Sequence, residues 1–173
     1  MSMMGAEGEM EEDGIEDAFT FVEEFNEVVT SGIWISNECF VFTNTKGIVS
    51  YLLTNKILKL TSTDKKYFIL GYDGKQNRLY MVDKSLNMVS FSLLLSLVNY
   101  QSAILNEDLH GALQFFKDIP STYHSKIAKF LEANDQKELA FDITPDQDHR
   151  FELAVTLNKI DEAYKIAEDQ ESQ

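Results

Sequence analysis

The chain has 173 residues, of which 44% are hydrophobic, and its formal net charge at pH 7 is −14. This apolar fraction suffices for one domain or two small ones, while the single Cys39 excludes an internal disulfide. No apolar run approaches the roughly 20 residues that span a bilayer, and so acidic a chain without a basic patch repels nucleic-acid phosphates.

The acidic residues are concentrated at the N-terminus. Residues 1–28 hold ten Asp and Glu side chains and no Lys or Arg, so the other 145 residues carry only about −4 (−14 + 10). Residues 1–12 are predicted to be a disordered acidic segment. Because targeting peptides need Lys or Arg where this segment has Glu, we expect no targeting signal and a cytoplasmic location.

A helix is predicted next, from Ile15 to Val29. Its apolar residues recur at helical spacing, and acidic residues occupy the solvent side. Ser31-Gly32 is expected to end the helix. This helix and the strands that follow form the predicted first domain, residues 13–93.

Seven short strands joined by polar turns are predicted after the helix. Close spacing and turn residues such as Asp73-Gly74 indicate an antiparallel meander, as in propeller blades or a small barrel. Trp34 is expected to pack in the β core, and Cys39 to act as a small buried hydrophobe. The predicted strands are Ile33–Ile35, Cys39–Thr43, Ile48–Leu53, Ile57–Leu60, Tyr67–Tyr72, Arg78–Val82 and Met88–Leu93.

The hydrophobic period changes near Leu94. Alternation through Val89, Phe91 and Leu93 is typical of a half-buried strand, whereas the apolar residues from Leu94 onward recur on one face of a helix. Two interpretations of this apolar junction remain open: burial where sheet meets helices, or a surface that faces a partner.

The second predicted domain, residues 94–173, is an α-solenoid of helical hairpins. Asn106, Asn134 and Asn158 each precede an Ala by five or six residues, and each Asn is expected to end one helix and cap the next. Thr144-Pro145-Asp146-Gln147 is expected to open a helix with a capping box of Thr and Gln and with Pro at the first helical position. The fold class is therefore α+β, an antiparallel propeller-blade fragment followed by α-solenoid helix pairs.

Little in the chain points to chemistry. His149 lies near Asp146 and Asp148, but these residues point in different directions around a first helical turn, where acids at a helix start are ordinary. We therefore assign no catalytic, cofactor-binding or metal-binding residues and expect no cofactor, although an enzyme centred on His149 remains a hypothesis.

Several segments in collinear order resemble one family from about Glu12 to the C-terminus. They include Gly32-Ile-Trp34, Ile69-Leu-Gly-Tyr72, Asn77-Arg-Leu-Tyr80, Asp83-Lys-Ser-Leu-Asn87 and His149-Arg-Phe-Glu-Leu-Ala154. The sequence resembles the coatomer beta-prime family, WD-repeat proteins of a vesicle coat, at the end of the second propeller and the start of the α-solenoid.

The resemblance implies a structural, non-enzymatic subunit that acts through protein contacts in Golgi-to-endoplasmic-reticulum and intra-Golgi vesicle transport. It implies other coatomer subunits as partners, especially the alpha subunit, and peripheral association with Golgi and vesicle membranes on the cytosolic side. It implies neither nucleic acid nor a small-molecule substrate. The alternative is a propeller-solenoid scaffold of another trafficking complex, such as the alpha coatomer subunit or intraflagellar transport.

Overall fold

The computed structural model describes residues 27–171. Strands come first and helices follow, which confirms the predicted α+β order. The strands are β1 (Val29–Ser36), β2 (Cys39–Asn44), β3 (Ile48–Leu53), β4 (Lys56–Ser62), β5 (Tyr67–Asp73), β6 (Arg78–Asp83) and β7 (Met88–Ser92). The helices are α1 (Leu95–Leu105), α2 (Leu109–Phe116), α3 (His124–Ala133), α4 (Lys137–Ile143), α5 (Gln147–Thr156) and α6 (Ile160–Glu171), with a 3-10 turn at Ser121–Tyr123 before α3.

The strands form two antiparallel meanders. The first sheet has the order β1-β2-β3-β4 and the second has the order β5-β6-β7. Two-residue turns join β1 to β2 at Asn37-Glu38 and β3 to β4 at Thr54-Asn55, where the positive φ of Thr54 (52°) suits a tight hairpin. One four-stranded unit and one three-stranded unit thus account for the seven predicted strands, one strand short of two four-stranded blades.

The predicted helix from Ile15 to Val29 is wrong at its C-terminal end. Its residues 15–26 lie outside the described residues, but Val29 begins β1 and pairs with Asn44. Val28, Val29 and Thr30 are consecutive β-branched residues, which favour strands. The Thr30 hydroxyl also lies 2.8 Å from that of Thr43 on β2, a cross-strand hydrogen bond that secures this end of the sheet.

The helices form three hairpins whose first helices all end in the same way. Each first helix is followed by a residue with left-handed backbone: Glu107 (φ 60°), Asp135 (φ 61°) and Asn158 (φ 59°). The next N–H then bonds back to a carbonyl in the helix, as in a Schellman motif. These bonds are Asp108 to Ala103 (2.8 Å), Gln136 to Leu131 (2.9 Å) and Lys159 to Ala154 (2.8 Å).

This motif corrects the predicted register of the repeat. The left-handed residue lies five positions before the buried Ala112, Ala140 and Ala163; it follows the Asn in the first two hairpins and is Asn158 itself in the third. Asn106 and Asn134 end their helices but do not cap the next ones, because Asp108 and Gln136 take the N-cap positions of α2 and α4.

The predicted capping box at Thr144 is also wrong. The N-cap of α5 is Asp146, whose carboxylate accepts the N–H groups of Asp148 and His149, and the helix starts at Gln147. Pro145 keeps Thr144 in an extended conformation (ψ 126°), so Thr144 ends α4 and does not begin α5.

Two hydrophobic clusters meet where the sheets contact the helices. The cluster of the sheets includes Tyr51, Leu79, Met81 and also Val98 of α1, whereas a second cluster fills the space between the helical hairpins. Leu58 and Leu105 pack against both clusters. Strands and helices therefore share one continuous apolar contact region at α1.

Candidate protein-interaction surfaces

The apolar residues of the strand-to-helix junction are mostly internal. Leu93, Leu97, Val98 and Tyr100 are buried, and Phe91, Leu94 and Leu95 are half-buried. The structure thus favours the interpretation that this segment fills the space between sheet and helices. The surfaces that remain available to a partner lie elsewhere.

Trp34 does not pack in the β core, so this prediction is wrong. Ile33 and Ile35 pack against the cluster of the sheets, and the alternation of the strand turns Trp34 to the opposite face, where it is 63% exposed. Its ring centroid lies 5.2 Å from that of Phe40 on β2. The alternation that turns Trp34 outward was already present in the sequence.

Strand register extends Trp34 into an apolar row that crosses all four strands of the first sheet. The register pairs Trp34 with Phe40, Phe40 with Leu52, and Leu52 with Ile57. Such cross-strand neighbours contact one another on a single face. Phe40 and Leu52 are half-buried and Ile57 is 38% exposed, so the row ends in exposed apolar side chains. Sequence patterns alone do not reveal this surface, because it depends on the register between strands.

The helices expose apolar pairs spaced four residues apart. Residues at this spacing are neighbours on one helix face. The exposed pairs are Leu109 with Leu113 on α2, Phe151 with Val155 on α5, and Ile160 with Tyr164 on α6. Single exposed apolar residues are common, whereas neighbouring exposed apolar residues, as on the successive helices α5 and α6, are typical of a protein-contact surface.

Comparing equivalent positions of the hairpins shows how an aromatic side chain on a second helix can be covered. Phe141 of α4 is buried beneath Arg150 and Lys159, whose cationic groups lie 4.8 and 4.5 Å from its ring centroid. Tyr164 of α6 lies at the same distance from its left-handed residue as Phe141 does, yet it is 65% exposed. Residues of the following hairpin cover Phe141, whereas the equivalent Leu113 of α2 is 62% exposed. Tyr164 is therefore an exposed aromatic side chain at a position where α4 shows what a covering contact looks like.

His149 lies between helices instead of facing solvent. Its Nδ1 lies 3.1 Å from the Thr144 hydroxyl at the end of α4, and its Nε2 lies 3.0 Å from a Glu132 carboxylate oxygen on α3. The order of groups is that of a hydroxyl, imidazole and carboxylate chain, as in nucleophilic catalysis. Thr144 is buried (3% exposed), however, so its hydroxyl does not reach a substrate. The three groups join α3, α4 and α5.

The acidic neighbours of His149 serve other groups. Asp146 caps α5, and an Asp148 carboxylate oxygen accepts a hydrogen bond from Gln170 Nε2 on α6 (2.9 Å). Within residues 27–171, no three His, Cys, Asp or Glu side chains converge as a metal site would need. Sequence spacing did not identify Glu132, since the contact arises from the stacking of hairpins.

Cys39 is buried, as predicted, and it faces the cluster of the sheets. Burial raises the pKa of its thiol to about 12, so the thiol stays protonated at neutral pH. Burial raises the pKa values of Tyr51 and Tyr100 to about 12 as well. These groups are therefore structural parts of the core, because a nucleophilic thiol needs a lowered pKa and access to substrate.

Comparison with known proteins assigns both parts of the chain. Residues 2–83 match the family model described as COPA/B second beta-propeller, and residues 100–173 match the one described as COPA/B TPR domain. Coatomer subunit beta' from Rattus norvegicus is 39% identical over 94% of the chain, and the probable coatomer subunit beta' from Caenorhabditis elegans is 38% identical over 95%. Coatomer subunit beta'-1 from Arabidopsis thaliana is 36% identical over 92%.

The chain spans 18%, 16% and 17% of the lengths of these three relatives. The match is collinear with the structure, since the propeller model ends with β6 at residue 83 and the TPR model begins at residue 100, within α1. The two sheets are thus blades of a propeller fragment, as predicted. The chain belongs to the COPA/B family of coatomer subunits and is similar to coatomer subunit beta' across the junction between second propeller and TPR domain.

Proposed function

We propose that this chain is a structural component of the coatomer vesicle coat and acts through protein contacts. Its membership of the COPA/B family and its similarity to coatomer subunit beta' support this role. The observation that carries the proposal is the exposed apolar pair Ile160 and Tyr164 on α6, of which Tyr164 lies at the position where Arg150 and Lys159 cover Phe141 of α4. A scaffold role without catalysis accords with the buried hydroxyl of Thr144.

The proposed role includes a specific partner, a transport step and a location. The partner is the alpha subunit of coatomer, and the process is vesicle transport from Golgi to endoplasmic reticulum and within the Golgi. The chain associates peripherally with Golgi and vesicle membranes on the cytosolic side, as part of the coat. None of the helices within residues 27–171 is long and apolar enough to cross a membrane.

The proposed domain boundary lies between the last strand and the first helix. Residues 13–93 hold the propeller part and residues 94–173 the α-solenoid. β7 ends at Ser92 and α1 begins at Leu95, so the connection has only two residues. The connection is short, and Val98 of α1 packs in the cluster of the sheets. We therefore expect the helices and the propeller part to hold a fixed orientation, so that a partner bound to the helices also positions the propeller part.

Size-exclusion chromatography with the helical region of an alpha subunit tests this proposal. We expect co-elution of the wild-type chain at tens of micromolar and its loss in the double variant Ile160→Ala with Tyr164→Ala. Met88→Ala removes an equally exposed apolar side chain (65%) from the sheet and serves as the matched control. Failure of the wild-type chain to co-elute, or equal loss in the control, contradicts the proposal.

The alternative of another propeller-solenoid trafficking complex makes a different prediction. The chain should then bind the helical region of an intraflagellar-transport scaffold and not that of the alpha coatomer subunit. The same chromatography with both candidates decides between them. The similarity to coatomer subunit beta' favours the coatomer partner.

A further inference from the structure

A cleft with a volume of about 330 Å³ lies between β4 and α3. Four lysines line it: Lys56 and Lys59 from β4, and Lys126 and Lys129 from α3. Its other walls include the apolar side chains of Leu58 and Phe130. No Asp or Glu contributes to the lining given by the described residues.

This concentration of positive charge contrasts with the rest of the molecule. The chain has only 15 Lys and Arg residues against 29 Asp and Glu, yet four lysines meet at one cleft. Like charges so close repel one another unless a counter-charge or solvent compensates them. An acidic ligand in the cleft would relieve that repulsion.

The four ammonium groups are available to such a ligand. The ion pairs within residues 27–171 involve Lys65, Lys159 and Lys165 among the lysines, and none of the four in the cleft. Lys56 donates a hydrogen bond to the uncharged Asn134 side-chain oxygen. Lys126 is exposed, and partial desolvation lowers the pKa of its ammonium group.

The floor of the cleft is rigid and apolar. Tyr51 is buried there and its hydroxyl donates a 2.8 Å hydrogen bond to Gln101 Oε1, while Phe130 is 8% exposed and Leu58 is half-buried. A small inorganic anion makes no use of an apolar floor. A peptide can carry acidic and apolar side chains together, so it can pair with the four lysines and also place an apolar side chain on the floor.

We propose that this cleft binds an acidic linear segment of a partner protein, with carboxylates at the four lysines and one apolar side chain on the floor. The site lies where propeller part and helices meet, distant in sequence from the α6 surface. The proposal goes beyond the coat contact, because it concerns a different surface and a different class of partner segment. Each therefore stands or fails on its own variants.

Fluorescence anisotropy with the whole 173-residue chain tests the cleft. The probe is a fluorescein-labelled peptide Glu-Glu-Phe-Glu-Glu, compared with Gln-Gln-Phe-Gln-Gln and Glu-Glu-Ala-Glu-Glu. We expect binding of the first peptide only, with an affinity that falls as salt rises, because exposed charge pairs are screened. Equal binding of the Gln peptide would overturn the proposal.

Two double variants locate the binding. Lys59→Gln with Lys129→Gln removes two cleft charges that form no side-chain hydrogen bond or ion pair within residues 27–171, and we expect an affinity loss of about five-fold or more. Lys75→Gln with Lys117→Gln makes the same charge change at exposed positions outside the cleft and should leave the affinity within about two-fold. Equal losses in both variants would show non-specific attraction and sink the site.

Competition distinguishes the possible occupants. Full displacement of the labelled peptide by millimolar inorganic phosphate, with no effect of the Phe-to-Ala change, would assign the cleft to phosphate groups and contradict the proposal. Displacement by a peptide of residues 7–17 of this chain at lower concentration than by unlabelled Glu-Glu-Phe-Glu-Glu would instead assign it to the chain's own acidic segment. Circular dichroism of each variant confirms that folding is retained.

Discussion

The hydroxyl of Tyr51 on β3 donates a 2.8 Å hydrogen bond to Gln101 Oε1 on α1, and both side chains are buried. This contact joins the propeller part to the first helix at the point where the two apolar clusters meet. A polar pair inside such a region stabilises only while both groups are satisfied. Removal of this hydrogen bond should therefore lower the stability of the strands and the helices together.

Tyr51→Phe should lower the free energy of unfolding by about 1–2 kcal/mol, because Gln101 loses its buried partner. Urea unfolding followed by circular dichroism measures the change. The double variant Tyr51→Phe with Gln101→Leu should recover part of the loss, since both polar groups are then replaced by apolar ones. If the double variant shows the sum of two independent losses, the hydrogen bond does not couple the two elements.

High pH should destabilise the fold. Burial raises the pKa values of Cys39, Tyr51 and Tyr100 to about 12, from ordinary values of 9.0 for the thiol and 10.0 for each phenol. Deprotonation is then easier in the unfolded chain than in the folded one, so the stability from these groups is complete below pH 9 and falls as pH rises toward 12. Urea midpoints measured between pH 7 and pH 11 check this.

Cys39→Ala is the control for the alkaline transition. The variant is less stable at every pH because it leaves a small cavity. Its stability should nevertheless fall less steeply around pH 9, where the thiol titrates in the unfolded chain while the tyrosines, with an ordinary pKa of 10.0, are still mostly protonated. An unchanged slope would show that Cys39 does not contribute to the transition.

His149→Ala should lower the free energy of unfolding by about 1–2 kcal/mol, because the buried Thr144 hydroxyl loses its partner and α3, α4 and α5 lose a common contact. Thermal unfolding measures the loss. His110→Ala is the matched control, since His110 is exposed and bonds only to Gln114 on its own helix, and it should stay within about 0.5 kcal/mol of the wild type. Comparable losses in the two variants would contradict the interhelical role.

Replacement of left-handed residues by Gly should stabilise the hairpins. Glu107 (φ 60°) pays a steric cost that Gly avoids, so Glu107→Gly should gain about 0.5–1 kcal/mol after the added entropy of the unfolded chain is counted. Asn158 (φ 59°) tolerates this conformation better, and Asn158→Gly should gain less. Urea unfolding of both variants gives the comparison. A larger gain at Asn158 would mean that side-chain contacts, and not backbone strain, decide the effect.

The sequence predicted those features that depend on local periodicity. All seven strands and the change near Leu94 follow from alternating and helical spacing, and all are present. Features that depend on competition between possible N-cap residues, or on contacts between hairpins and between strands, were predicted wrongly or not at all. Thr144 and Asp146 both suit an N-cap, and Pro145 decided the outcome by holding Thr144 extended. The contact of His149 with Glu132 and the row from Trp34 to Ile57 arise only after hairpins stack and strands register.

Gly32→Ala should disturb the apolar row of the first sheet. A Cβ at Gly32 would lie 2.3 Å from Phe40 Cζ, and the Phe40 ring has little freedom to move, since its centroid lies 5.2 Å from that of Trp34 and 6.1 Å from that of Phe42. We expect a loss of about 1–3 kcal/mol, as for other overpacked sites. Trp34 is the single Trp, so its fluorescence spectrum should shift as well.

Gly71→Ala, where an added Cβ meets nothing within 4 Å, is the control and should leave both the stability and the spectrum nearly unchanged. A wild-type spectrum in Gly32→Ala would show that Phe40 yields without moving Trp34, and the row would then not act as one packed unit.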